Sequence, residues 1–130
     1  MSDNQELKAI AEKVLKKANI DEDQKFGSII AILMVISIIL TLVRVLQECN
    51  KTKTENMTSQ DKYQIYGESI RSFSKKRGWF TRMRVKRAVR RELTQDEFNK
   101  YGLKLTESLL DAGENLQDNE VATLVEAAHV

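Results

Sequence analysis

Residues 26–43 read FGSIIAILMVISIILTLV, eighteen positions without a charge in a chain that is 31% charged. Either a bilayer or several protein neighbours must surround such a helix, and that choice decides what the other residues are for. Extended across Arg44 to Leu46, the run covers 26–46, or ~32 Å as a helix, the thickness of a hydrocarbon core. Its polar residues Ser28, Ser37 and Thr41 can hydrogen-bond within the helix and are tolerated in lipid. Arg44 can extend its guanidinium to the headgroups.

A second pattern competes with the first. Ile29, Ile32, Ile36, Ile39, Val43 and Leu46 alternate spacings of three and four, as the seam of a helix bundle does. Ser37, Thr41, Arg44 and Glu48 form a thin polar strip, but Ile30, Leu33, Val35, Ile38, Leu40, Leu42 and Val45 fill most of the remaining circumference. A seam alone leaves that surface uncovered. The expectation is a membrane-spanning helix, with a helix buried between subunits as the alternative.

Outside the run, 130 residues leave room for one small domain, or an anchor plus a smaller one. Proline is absent and glycine occurs five times, so little interrupts a helix and an all-α chain follows. Ser2 with Gln5 opens a short N-terminal amphipathic helix within 1–20, on which Leu7, Ile10, Ala11, Val14, Leu15 and Ala18 share a face and Asn19 suits the end. Asp21 with Gln24 signals the start of a long hydrophobic helix over 21–50. Residues 51–58 have the composition of a polar linker. A small helical domain is expected over 59–130. Thr58 or Ser59 starts a helix bearing Tyr63, Tyr66, Ile70 and Phe73 that ends at Gly78, and Thr81 caps a basic helix to Glu92. Thr94 with Glu97 is a capping box for a helix stopped by Gly113, and Asp118 caps a last short helix.

The net charge of +2 conceals a segregation. Residues 1–50 carry −1, residues 51–91 carry +10, and the acidic tail 92–130 carries −7. The basic segment 71–91, RSFSKKRGWFTRMRVKRAVRR, has ten basic residues and no acidic one. At ~100° per residue from Arg82, its cations cover about 0° to 200°, and Val85, Ala88, Val89 and Glu92 cover about 240° to 340°. Lys75, Lys76, Arg77, Arg82, Arg84, Lys86, Arg87, Arg90 and Arg91 are therefore the candidate residues for an anionic partner, with Trp79 and Phe80 as candidate interfacial anchors. Anionic lipid, a nucleic acid backbone or an acidic protein surface all fit. The acidic tail of a neighbouring copy is one such surface, and a merely solvated basic face is the plain alternative.

Patterns for catalysis fail. The one histidine, His129, is next to last, and the one cysteine is Cys49, so triads and thiolate clusters have no members. Counting a calcium loop from Asp111 places Leu116 at the glycine position and Ala122 at the glutamate position. No glycine-rich phosphate loop occurs, and a cleaved signal peptide is not expected. Neither an enzyme nor a cofactor, metal or small-molecule substrate is expected. The expected function is a single-pass membrane protein anchoring a basic helical interaction domain, expected on the cytoplasmic side. The alternatives are a structural subunit of a large assembly such as a phage virion, oligomeric through the apolar helix, and a pore-forming protein. Few polar residues in the run would line a pore.

Overall fold

A computed structural model describes residues 3–20 and 28–128, which form seven helices and no strand. They are α1 Asp3–Lys17, α2 Ser28–Cys49, α3 Lys51–Thr54, α4 Ser59–Lys76, α5 Trp79–Glu92, α6 Gln95–Glu114 and α7 Asp118–Ala128. The capping signals Ser2, Asp21 and Gln24, the first two residues of the apolar run, Phe26 and Gly27, and His129 lie outside the described residues.

α1 buries the face its spacing marks, Leu7, Ile10, Ala11, Val14, Leu15 and Ala18. It ends at Asn19, which is left-handed with φ 60°. Asn19 N–H donates to Lys16 O and Ile20 N–H to Leu15 O, both at 3.1 Å, closing the last turn with Ile20 and Leu15 buried together.

Polar composition alone does not keep 51–54 extended. Asn50 and Thr54 are buried. Asn50 Nδ2 donates to Leu46 O at 2.7 Å and to Ser69 Oγ at 3.0 Å, and the Thr54 hydroxyl shares a hydrogen bond with the Tyr66 hydroxyl at 2.9 Å. These bonds fasten the single turn of α3 to α4. Thr58 Oγ1 then accepts from Asp61 N–H at 3.2 Å and opens α4.

The turn expected at Gly78 falls one residue earlier. Arg77 is the left-handed residue, φ 50°, and Gly78 is extended. α5 therefore starts at Trp79, and Thr81 is buried inside its first turn rather than capping it. The Thr94–Glu97 capping box opens α6 as the spacing predicts. α6 runs through Gly113 to Glu114 instead of stopping there, and the glycine admits α4 close above it: a Cβ at Gly113 would lie 2.0 Å from Ser74 Oγ and 3.0 Å from Ser74 Cβ.

One apolar core joins these helices. α2 packs against α1, α4, α5 and α7, and α6 packs against α1, α4 and α5. The buried side chains of α2 are Ala31, Ile32, Val35, Ile38, Ile39 and Val43. From Ser28 at ~100° per residue, they occupy an arc of about 140°. Burying a valine or isoleucine side chain contributes roughly 1.5–3 kcal/mol, so this face is one substantial contributor to a core that all the longer helices share. Of the six seam residues read from the sequence, Ile32, Ile39 and Val43 are buried, Ile36 and Leu46 are half-buried, and Ile29 is exposed.

Candidate lipid and anion interface

Two surfaces remain after the core is built. The first is the outward side of α2, where Ile29, Ile30 and Leu33 are 70%, 66% and 61% exposed. Ile36 and Leu40 extend the strip half-buried. Nearer the end of α2 the surface becomes polar and is tied down. Ser37 Oγ donates to Glu92 Oε1 at 2.6 Å, Thr41 Oγ1 donates to Ser37 O, and Gln47 Nε2 donates to Val125 O at 3.2 Å. Arg44 Nε donates to Ala128 O at 3.4 Å, which puts a cation at the carbonyl end of α7, where the helix dipole favours it. Two members of the thin polar strip, Ser37 and Arg44, thus reach α5 and α7 from the outward side of α2, while Glu48 stays exposed.

The second surface is α5. Val85, Ala88 and Val89 are buried, and Glu92 turns toward α2 through Ser37. The cations divide into two sets. Arg82 donates from Nε and Nη2 to the two oxygens of Glu107 at 2.8 and 3.3 Å. Arg77 reaches Asp111, Glu114 at 2.9 Å and Glu107 at 3.5 Å. The carboxyls of Glu107 and Asp111 are held below their ordinary range, chiefly by hydrogen bonds from Arg82 and Arg77 respectively, and the guanidinium of Arg77 is raised chiefly by the hydrogen bond it donates to Asp111. These two arginines fasten α5 and the elbow before it to α6.

The other set is exposed or half-buried. Arg84 lies over the Phe80 ring at 5.5 Å and Arg90 over Phe98 at 4.5 Å, contacts that hold a guanidinium without neutralising it. Lys75, Lys76, Lys86, Arg87 and Arg91 form no ion pair with another described residue. Trp79 is 77% exposed and Phe80 57%. Of the nine basic residues read as one set, seven stay outside the internal ion pairs, Lys75 and Lys76 on α4 and five on α5, while Arg77 and Arg82 are taken into pairs with α6.

The acidic tail is also partly spent within the chain. Asp111 and Glu114 pair with Arg77, Asp118 with Arg71 at 2.8 Å, and Glu120 with Lys13 at 2.8 Å. Arg71 was absent from the candidate set, and it serves structure, since its Nε also donates to Leu116 O at 2.9 Å. A hint lay in the sequence: Arg82 stands at the border of the apolar arc of α5, beside Val89, where a long side chain reaches a neighbouring helix. No protein-family model matches the chain, and no curated protein and no solved structure matches it.

Proposed function

We propose that this chain is a non-enzymatic, membrane-associated interaction protein that attaches to a bilayer through α2 and presents the basic face of α5 beside it. The observation that carries the proposal is the outward strip of α2. Ile29, Ile30 and Leu33 stay exposed after the opposite face of the same helix has been buried, and an apolar strip of this kind calls for a second apolar phase. Ile29–Cys49 also has the length and hydropathy of a span.

The packed fold supports attachment by the strip, parallel to the surface, more directly than crossing. α1 and α5 lie against α2 and carry lysines and arginines that hydrocarbon would penalise heavily. Crossing would require α2 to part from them. A subunit of a larger assembly is the second reading, supported by the three-four spacing of the apolar residues, with the same strip covered by protein.

Expression followed by fractionation and an alkaline wash tests this. A surface-attached protein sediments with membranes and is released by the wash, and a spanning helix is retained. Recovery as a discrete oligomer without detergent would replace the membrane reading with the assembly reading.

A further inference from the structure

We infer that the anionic partner of the α5 face is the bilayer itself: an acidic phospholipid surface meets Trp79, Phe80 and the outward arginines of α5 at the same time as it meets the apolar strip of α2. This rests on the membrane reading above and adds to it a lipid charge class and a second contact element.

The argument is one of juxtaposition. On α2, Ser37 lies at about 180° from Ser28, in the same arc as Ile30 and Leu33 at about 200° and 140°. Its hydrogen bond to Glu92 therefore seats the end of α5 along the edge of the exposed strip. On α5, the side turned toward α6 is fixed by Arg82 and Glu107. Passing the other way round the helix from Glu92, the next positions are Ala88, then Arg84 and Arg91, then Phe80 and Arg87, and Trp79 follows further round at the first residue of the helix. Arg91, next to Glu92, therefore lies nearest the strip of α2, and Arg84, Arg87 and Phe80 continue along the same side of α5. The sequence of α5 holds no acidic residue before Glu92.

The chemistry of this surface favours lipid over a nucleic acid. Phosphate contacts need the arginines alone, whereas an exposed tryptophan and phenylalanine on the same helix suit the boundary between headgroups and acyl chains. Arg84 resting on Phe80 keeps its charge at the level of the ring, as an interfacial residue does.

Trp79 is the single tryptophan of the chain, so any change in emission is assigned to the start of α5. The full-length protein is mixed with vesicles of phosphatidylcholine alone, vesicles containing phosphatidylserine, and a duplex oligonucleotide, across a salt series. Flotation and Trp79 emission are recorded together. The expected result is tighter flotation with phosphatidylserine, a blue shift of Trp79 and its quenching by bromine-labelled acyl chains. Each basic residue near an anionic surface contributes about fivefold in affinity. Arg84→Gln, Arg87→Gln and Arg91→Gln together should then lower binding to the anionic vesicles about a hundredfold, with unchanged helicity by circular dichroism. Flotation on both vesicle types with unshifted Trp79 and no loss in the triple variant would overturn this inference and leave attachment by α2 standing. Absence of flotation on either vesicle would overturn both. A Trp79 shift with the oligonucleotide and none with vesicles would overturn the lipid assignment in favour of nucleic acid.

Discussion

Arg77 occupies a left-handed backbone position, φ 50°, which costs a residue with a Cβ about 1 kcal/mol or more. Its guanidinium offsets that cost by joining Glu107, Asp111 and Glu114 of α6. The glycine next to it is the residue a local reading selects for the turn, and the reading misplaces the turn by one position because the partners of Arg77 lie thirty or more residues away. The same cluster sets a pH response. Asp111 and Glu107 are held below their ordinary values of 3.8 and 4.5. A carboxyl with a lowered folded-state pKa stabilises the fold above its unfolded value and loses that contribution as pH falls through the folded one. Stability should thus be flat near neutrality and decline below about pH 4.5. Urea unfolding followed by far-ultraviolet circular dichroism should show Arg77→Gln costing about 1–2 kcal/mol at neutral pH, with a shallower acid decline than the native chain. An equally steep decline in that variant would place the acid response elsewhere.

At the scale of elements, the helices were legible where local signals decide them. The Thr94–Glu97 box, the Thr58 cap and the face of α1 with its Asn19 terminus all follow from neighbouring residues. The buried arc of α2 was not legible in the same way. With apolar residues on nearly every side, three-four spacing offers no contrast, and the arc is chosen by which helices arrive against it. Gly113 is a similar case. Its role lies in the close crossing of α4 and α6 at Ser74, which no pattern within α6 announces. Gly113→Ala should gain about 1 kcal/mol of helix propensity but lose roughly 1–3 kcal/mol to overpacking, for a net loss in unfolding free energy. In a Ser74→Gly background the loss should shrink, so that a double-mutant cycle in urea shows coupling. Strict additivity of the two changes would contradict the close crossing.

At the scale of the molecule, charge segregation located the basic face, and the fold divided it. The cationic arc of α5 could be read from 3.6-residue periodicity, but the internal partners of Arg77 and Arg82 belong to the acidic tail and required tertiary structure to find. The border between the α5 face and the exposed strip of α2 is likewise a product of the Ser37–Glu92 contact, two residues far apart in the chain. The central claim is that the strip itself meets lipid. It is tested most directly by flotation of the full-length protein with uncharged phosphatidylcholine vesicles at high salt, which screens the α5 charges, comparing the native chain with an Ile30→Asp, Leu33→Asp double variant. Both side chains point outward, so helicity should be unchanged. At more than ~2 kcal/mol for each buried carboxylate, the account predicts that the native chain floats and the double variant stays with the soluble fraction. Equal flotation of the two proteins, or no flotation of the native chain, would contradict it.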